Sequence, residues 1–515
     1  MGNAMDDQTS TPSAASAEEH EDAEFDAAIK AVMSSGLIAG PDPSIVDEIA
    51  QEDGPDPTQQ MADDLSADME VDRIYRSILT RAPEHKVQPS LDRVRDCLDL
   101  MGNPQDSFRA IHITGTNGKT SSARMIEALL RERGLRTGRF TSPHLTTVRE
   151  RICIDGIAIS RDAFVQAWED VSPFIEMVDA ASVASGGPRM SFFEVFTVMA
   201  YTAFAAAPID VAVVEVGMGG LWDATNVIDA DVAVLAPVAM DHERWLGSAI
   251  EDIAHEKLGI VKAGSVFVCA EQTETVGQMA IDRAAEVGAQ LVMAGPSMHV
   301  ISRETAVGGQ LISVQTPAAR YEDIPLALRG DYQADNAVLA ITAVESFFGG
   351  QALDGLVVEH ALMSVSSPGR LEVVRSSPTV VVDAAHNPHG AAATARALDE
   401  YYPGRRVGVI AMMADKDVES YLGEMEPVLE EVVVTGMPSD RAMPSEELEE
   451  IARRVFGPDR VHRVDDLLSA IDEAAGIAES DDSEPMVSPA VIVTGSIQLV
   501  AEARTLMGKP APDGA

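Results

Sequence analysis

An α/β fold with two parallel sheets is the structure that the sequence predicts, and three features indicate it. The first is an apolar strand, a glycine turn and a helix in direct succession, in I-H-I-T-G-T-N-G-K-T-S-S at residues 111–122. The second is a series of short apolar runs that alternate with helical patterns, which is typical of buried parallel strands. The third is a second such series after a Ser-, Pro- and Gly-containing stretch. We therefore expect a P-loop parallel-sheet ATPase domain followed by a smaller Rossmann-like α/β domain.

The glycine turn has the composition of a phosphate-binding loop. Its glycines allow backbone N–H groups to face an anion, and the helix that follows adds its positive end. Ile113 occupies the first glycine position of the general motif, so this is the shorter G-x-x-G-K-T form. The alternative is a glycine turn followed by a surface lysine. The residues expected to bind ATP here are Gly115, Thr116, Asn117, Gly118, Lys119, Thr120 and Ser121.

Charge and cysteine content limit the classes of partner. The 515 residues include 38 Lys and Arg against 83 Asp and Glu, a net charge of -45. Such a charge repels nucleic acid and anionic membranes, and it requires a locally basic pocket for any polyanionic substrate. Three scattered cysteines fit a reducing compartment, and the first residues lack the pattern of a signal peptide, so we expect a cytoplasmic protein.

Composition divides the chain into five parts. The first part is acidic and poor in apolar residues, with Lys30 as its single Lys or Arg, so we expect disorder there. An apolar stretch, Met190 to Ala207, is interrupted by Glu194, and we interpret it as a buried helix. The expected parts are an acidic extension at 1–69, a P-loop ATP-binding domain at 70–364, a linker at 365–369, a C-terminal α/β domain at 370–508 and a frayed tail at 509–515.

Polar residues follow several of the predicted strands. Apolar runs at 110–113, 211–217, 232–235 and 266–269 predict strands of the first domain, and runs at 379–383, 407–412, 431–435 and 491–494 predict those of the second. A small hairpin is expected between 299 and 329. Ligands of parallel sheets collect at the carboxyl ends of strands. Lys119, Ser142, Glu215 and His242 all lie at such ends, so we expect them to converge.

Several motifs in order resemble one family, the folylpolyglutamate synthase and dihydrofolate synthase group of the Mur ligases. The resemblance extends from about residue 70 to the C-terminus. It is carried by H-I-T-G-T-N-G-K-T-S (112–121), T-S-P-H-L (141–145), E-V-G-M-G-G-L-W-D-A-T-N (215–226), D-H-E-R-W-L-G (241–247), H-E-K-L-G-I-V-K (255–262), S-P-G-R-L-E (367–372) and D-A-A-H-N-P-H-G (383–390).

The resemblance implies an ATP-dependent ligase that adds L-glutamate to dihydropteroate, to folate polyglutamates, or to both. In this family a substrate carboxylate takes the γ-phosphate of ATP, and the amine of glutamate then displaces phosphate from the acyl phosphate. The implied cofactors are ATP, two Mg²⁺ ions and a monovalent cation. The implied partners are small molecules, with a monomeric enzyme and no nucleic acid or membrane.

The resemblance also implies roles for individual residues. Ser142 and Glu215 would hold one Mg²⁺, and His242 would help to hold the second together with Lys257, carbamylated on its amine. With Lys119, His242 and Lys257 form the expected catalytic set. Taken singly, Glu215 could be a capping carboxylate, His242 a core histidine and Lys257 an ordinary helix lysine paired with a neighbouring glutamate.

Further binding residues follow from the same motifs. Asn336 matches an asparagine on the adenine side, and Arg370 and Asp383 match residues that close over the phosphates and ribose. His144, Arg151 and His386 are expected to contact substrate, although His386 could instead cap the next helix.

Two positions depart from the family pattern. Leu221 replaces the usual arginine of a G-G-R motif, which removes a cation and its donors and leaves anion binding there in doubt. Tyr332 replaces the usual histidine before Gln333.

Two other functions fit parts of the pattern. One is a Mur-type ligase that adds amino acids to cell-wall precursors, and the other is a nucleotide-binding protein with reduced catalysis. The cell-wall ligases carry a nucleotide-sugar domain before the P-loop, for which few residues are left here, and T-S-P-H-L favours folate. ATP consumption that depends on both glutamate and a pterin distinguishes the three.

Overall fold

The computed structural model describes residues 57–83, 89–480 and 488–515, and within these ranges it contains two large mixed sheets and one small antiparallel sheet. Residues 67–515 form one compact unit. We refer to residues 67–364 as the P-loop half and to residues 370–515 as the C-terminal half.

The large sheet of the P-loop half has eight strands in the order β4-β3-β2-β5-β1-β6-β7-β8. The strands are β1 Arg109–Thr114, β2 Thr137–Phe140, β3 Ile152–Ile154, β4 Ile157–Ala158, β5 Val211–Glu215, β6 Val232–Leu235, β7 Val266–Cys269 and β8 Gln290–Met293. Strand β1 lies between β5 and β6, parallel to both, and β3 and β4 are antiparallel at one edge. The phosphate-binding turn therefore leaves the sheet at a central strand.

Helices and a small sheet cover this large sheet. The helices are α1 Pro57–Leu79, α2 Asp92–Leu100, α3 Lys119–Glu132, α4 Arg161–Ala184, α5 Phe192–Ala206, α6 Glu243–Leu246, α7 Ile250–Leu258, α8 Glu274–Val287, α9 Asp331–Phe347 and α10 Gly355–Ser364. The small sheet has the strands β9 His299–Ala306, β10 Gly309–Gln315 and β11 Arg320–Leu326.

The strand β1 has apolar residues on both faces because each face has its own core. Ile111 and Ile113 pack with α3 and α9, whereas Ala110 faces the second core with α5. This alternation is what a strand buried on both faces requires. The buried helix α5 agrees with the interpretation of the apolar stretch at 190–207, and no helix of the described ranges is long and apolar enough to cross a lipid bilayer.

The C-terminal half repeats the architecture with six strands in the order β12-β13-β17-β14-β15-β16. The strands are β12 Glu372–Ser376, β13 Thr379–Asp383, β14 Arg406–Ile410, β15 Glu431–Val434, β16 Val461–Arg463 and β17 Ala490–Thr494. Its helices are α11 Pro388–Tyr401, α12 Val418–Met425, α13 Ser445–Phe456, α14 Leu467–Glu479 and α15 Ile497–Leu506. The predicted α/β fold class is confirmed.

Three expectations about local structure are wrong. Helix α1 begins at Pro57, so residues 57–69 are not an unstructured extension; this stretch is rich in Gln, Ala, Met and Leu, which favour helix despite the acids. Residues 1–56 lie outside the described residues. The expected hairpin is a three-stranded sheet, because β11 continues the pairing beyond β10. The tail at 509–515 is not frayed.

Residues 512–514 of this tail form a short 3-10 turn whose aspartate is bound by two buried arginines. Arg124 on α3 donates two hydrogen bonds to Asp513, at 2.8 and 2.7 Å, and Arg139 on β2 donates a third at 2.6 Å. Arg139 is also paired with the buried Glu127. The turn therefore links the helix after the phosphate loop to the strand that leads to Ser142.

We expect Asp513→Asn to lower the free energy of unfolding by about 3–5 kcal/mol, because the buried Arg124 would then lose its carboxylate partner and Arg139 would keep only Glu127. Denaturant titration followed by circular dichroism measures this loss. Asp229→Asn is the matched control, since Asp229 is 91% exposed and pairs with Lys262 at the surface; its cost should stay below about 1 kcal/mol. Equal small losses in both variants would contradict the role of Asp513.

Candidate active site

One large cavity of about 1360 Å³ is lined by residues of both halves. Every site residue that the sequence predicts lines it: Gly115, Thr116, Asn117, Gly118, Lys119, Thr120, Ser121, Ser142, His144, Arg151, Glu215, His242, Lys257, Asn336, Arg370, Asp383 and His386. The expected convergence of residues at strand ends is thus present in the structure.

The phosphate loop is packed so closely that its glycines have no room for side chains. A Cβ on Gly115 would lie 2.7 Å from the Cβ of Ala236, at the end of β6. A Cβ on Gly118 would lie 2.6 Å from Oδ1 of Asn336, and Gly118 has a φ of 87°, in the region that favours glycine. The loop is therefore held between the sheet and helix α9.

The side chain of Lys119 forms hydrogen bonds with the backbone of its own loop. Its Nζ donates to the carbonyls of Gly115 at 2.9 Å and Thr116 at 3.1 Å. An ammonium has three donors, so one remains for a phosphate oxygen. Burial lowers the pKa of Lys119, while the carboxylates of Glu215 and Asp241 oppose that shift.

Lys257 reaches the same carbonyl from helix α7. Its Nζ donates to the Gly115 carbonyl at 2.9 Å, and the residue is 4% exposed. Burial, with the nearby charge of Lys119, lowers the pKa of Lys257 to about 7. The side chain is therefore not a solvated helix lysine, and a large share of it is uncharged near neutral pH.

Glu215 is joined to two hydroxyl residues in an arrangement that suits Mg²⁺. Thr120 donates from Oγ1 to both carboxylate oxygens, at 2.9 and 3.1 Å, and the backbone N–H of Ser142 lies 3.4 Å from Oε2. Burial raises the pKa of Glu215. A buried carboxylate beside hydroxyl groups is an all-oxygen donor set of the kind that Mg²⁺ prefers. Glu215, Thr120 and Ser142 fit the ion.

The described residues hold no group of three or more His, Cys, Asp or Glu side chains with metal-binding spacing. The expected second ion would therefore depend on His242 and a modified Lys257. His242 lies at the start of α6 with a φ of 53°, and its side chain is 36% exposed. Burial lowers its pKa to about 3, so the ring is neutral and retains a lone pair for a ligand.

Sequence reasoning missed Asp241, on which side chains of the C-terminal half converge. Lys416 Nζ donates to its Oδ1 at 2.6 Å, and Asn387 Nδ2 donates to its Oδ2 at 3.1 Å. His386 Nε2 lies 3.5 Å from Oδ2. Burial would raise the pKa of Asp241, but the hydrogen bond from His386 and the charge of Lys416 hold it far below its ordinary value. The sequence feature that could have indicated Asp241 is a carboxylate directly after β6.

The two nucleotide residues predicted in the C-terminal half differ in their surroundings. The carboxylate oxygens of Asp383 accept hydrogen bonds from the backbone N–H groups of Leu371 and Ala385 and from the hydroxyl of Thr394, at 2.9–3.0 Å. Asp383 thus holds its own loops together. Among the described residues, the one hydrogen bond recorded for the Arg370 guanidinium is a 3.3 Å contact to the Gly369 carbonyl, and Arg370 contributes to the electrostatics of Lys119 and Glu215.

His144 and Arg151 form one wall of the cavity together. Arg151 Nε donates to Nδ1 of His144 at 2.9 Å, and its guanidinium lies over the rings of Phe192 and Phe196, at 5.1 and 5.6 Å. Burial lowers the pKa of His144 to about 3. The wall combines a cation with aromatic surface, which suits an aromatic substrate that carries polar groups.

The two departures from the family pattern lie in different places. Leu221 lines a separate shallow hollow beside Leu258 and Met279, outside the large cavity. The Leu221 side chain itself therefore does not line the large cavity. Tyr332 lines the cavity and packs against the core of the C-terminal half.

Two protein families match the chain. Residues 173–344 match the Mur ligase middle domain, and residues 369–496 match the glutamate ligase domain of Mur ligases. The chain is 45% identical to the dihydrofolate synthase/folylpolyglutamate synthase of Mycobacterium tuberculosis over 448 residues, which cover 83% of this chain and 92% of that protein. It is 30% identical to the Escherichia coli protein of the same name over 428 residues, which cover 83% and 93%.

Solved structures of the same family are also similar to this chain. The folylpolyglutamate synthase of Mycobacterium tuberculosis, complexed with ADP and AMPPCP, matches with a TM-score of 0.82 and 44% identity over 86% of this chain and 100% of that one. The Escherichia coli FolC protein in complex with DHPP and ADP matches with a TM-score of 0.69 and 27% identity over 82% and 94%.

We expect Gly118→Ala to weaken ATP binding by about tenfold or more, a loss of at least about 1.4 kcal/mol, because the new Cβ would collide with Asn336. Isothermal titration with a non-hydrolysable ATP analogue measures this loss. Gly264→Ala is the control, since Gly264 has a φ of 84° and nothing within 4 Å of its Cβ position. Both variants carry similar backbone strain, so equal ATP affinities in the two would show that the contact with Asn336 is unimportant.

Proposed function

The chain belongs to the dihydrofolate synthase/folylpolyglutamate synthase family of Mur ligases, and on this premise we propose how its cavity performs the ligation. It is an ATP-dependent ligase that adds L-glutamate to a pteroate or folate acceptor. The observation that carries the proposal is that the phosphate loop, the Glu215 carboxylate and cations from both halves line one cavity. The relatives favour this activity over a cell-wall ligase.

In the first step, a carboxylate oxygen of the acceptor forms a bond to the γ-phosphorus of ATP while the bond from phosphorus to the bridging oxygen of ADP breaks. Catalysis of such a step is mostly positioning and charge neutralisation. We propose that the loop N–H groups and Lys119 hold the phosphates and that Arg370 faces them from the C-terminal half. Asn336 and Asp383 would support the adenine and ribose side, Asp383 through the loops that it fixes.

In the second step, the amine of glutamate attacks the acyl carbon, inorganic phosphate leaves with the electron pair of the broken C–O bond, and the amine loses a proton. We propose that His144, Arg151 and His386 contact the acceptor or the incoming glutamate. Closure of the two halves about residues 364–369 would exclude water, which otherwise hydrolyses an acyl phosphate.

Magnesium neutralises phosphate charge when it is bound. We propose that Glu215, Ser142 and the hydroxyl of Thr120 hold one ion, and that His242 with a carbamylated Lys257 holds a second. A monovalent cation would be a further cofactor. We also propose a monomer that works in the cytoplasm without nucleic acid, supported by the net charge of -45 and by three free, buried cysteines.

Lys257 has the surroundings that carbamylation requires. Carbon dioxide reacts with an uncharged amine, and burial favours that form of Lys257. The bond forms between Nζ and the carbon of CO₂, and the amine loses a proton to give a carbamate anion. This converts an amine into an anionic oxygen ligand close to Lys119.

The proposed activity is tested by product analysis with ATP, Mg²⁺, L-glutamate and one of three acceptors. We expect ADP release and a glutamate adduct, seen by mass spectrometry, with dihydropteroate, tetrahydrofolate or both. Omission of glutamate or acceptor should stop ADP release. An adduct formed instead with a muramoyl peptide acceptor would indicate the cell-wall reaction, and binding of ATP with no adduct would indicate a nucleotide-binding protein.

We expect Lys257→Ala to lose about 10²-fold or more in kcat, because it removes the proposed carbamate. Formate or acetate should partly restore the alanine variant by occupying the space that the side chain leaves. Lys257→Arg is the matched variant: it keeps a cation and fills the space, so small carboxylates should not restore it. Full activity of the alanine variant, or equal rescue of both variants, would contradict the carbamate.

A further inference from the structure

A single carboxylate in the P-loop half holds three side chains of the C-terminal half. We define the Asp241 cluster as Asp241, Lys416, Asn387 and His386. Asp241 is 7% exposed and Lys416 is 10% exposed, so their 2.6 Å contact is a buried ion pair. Asn387 and His386 meet the other carboxylate oxygen. We propose that Asp241 is a positioning residue that places Lys416 and the turn before α11 over the phosphate loop.

The neighbouring contacts also support a positioning role for Asp241. Asn387 also exchanges hydrogen bonds with Asn117 of the phosphate loop, both at 3.3 Å. Asn117 Nδ2 lies 2.8 Å from Nδ1 of His389 in the first turn of α11. Asn387 caps α11 by accepting from the N–H of Gly390 at 2.8 Å. Asp241 therefore acts on a turn that is already joined to the loop that binds phosphate.

Charge explains why this anchor is a carboxylate. Lys119 and Arg370 line the same cavity, and Lys416 adds a further cation from the C-terminal half. An unpaired Lys416 would be repelled by these cations and would lose its fixed position. Asp241 neutralises it at short range, whereas a neutral side chain of the same size would provide a hydrogen bond without the charge.

The contacts of Asp241 differ from those that hold several ATP-binding residues, so its loss should affect the chemical step more than the binding of ATP. Lys119, Thr120 and Asn336 hold their positions through bonds within the P-loop half, and none of these bonds involves Asp241. Loss of Asp241 should therefore leave the contacts of these three residues with ATP in place. It should displace the C-terminal groups from the reacting atoms, and a displacement of about 1 Å can cost about 10² in rate.

The test uses Asp241→Asn, Lys416→Met and the double variant in the full chain, and its kinetic part rests on the proposed function. We expect Asp241→Asn to lower kcat by about 10²-fold with less than about a threefold change in KM for ATP. Because both single variants break the same ion pair, the double variant should be no slower than the slower of the two single variants, whereas independent roles would multiply the two losses. Asp229→Asn, at an exposed pair outside the cavity lining, is the control for a lost aspartate.

Structural readouts separate the failure of this inference from the failure of the proposed function. Isothermal titration with an ATP analogue and small-angle scattering require no ligase activity. Asp241→Asn should retain its affinity for the analogue but show a larger radius of gyration than the control when the analogue is bound. The inference is overturned by an unchanged kcat and scattering profile, by multiplicative losses in the double variant, or by a loss confined to thermal stability.

Discussion

The rest of the site depends on the close packing of the phosphate loop between strand β6 and helix α9. Because the loop touches Ala236 on one side and Asn336 on the other, its position is fixed by the sheet and not by the ligand. The Gly115 carbonyl then holds both Lys119 and Lys257, which places two amines side by side. The lower pKa of Lys257 follows from that crowding together with burial. The packing of this loop thus determines both the shape of the phosphate-binding site and the reactivity of the Lys257 amine.

The strongly acidic chain binds polyanions because the field in the cavity is local. At physiological ionic strength the screening length is about 8 Å, so acidic groups farther away contribute little. Within the cavity, Lys119, Arg370 and Lys416 are part of the lining, and low dielectric walls strengthen their effect. The burial of these cations is offset by carboxylates and carbonyls of the loops, so the net charge of the whole protein does not decide what the cavity binds.

The parts of the structure that were predictable from sequence are those determined by local pattern. Runs such as Val232–Leu235 and the glycine turn specify a strand, its end and the residue that follows it, so the predicted side chains meet in one cavity. The missed contacts join distant parts of the chain. Asp241 and Lys416 are 175 positions apart, and Arg124 and Asp513 are 389 positions apart. No local periodicity signals such pairs, and the edge strands β4 and β16 were too short to show alternation.

These two long-range pairs tie the halves together in different ways. Arg124 also approaches the carbonyl of Ser366, and Ser121 bonds to Ser367, so the residues around the linker are fixed by buried contacts. The charge of Arg124 is paired with Asp513. Asp241 and Asn117, in contrast, bond across the cavity with side chains that face the reacting molecules. Further ion pairs, Arg303 with Glu400 and Arg396 with Asp331, also join the two halves. Asp241 differs from these pairs because it also fixes Lys416, and this couples the position of the C-terminal half to the arrangement of charge around the proposed phosphate site.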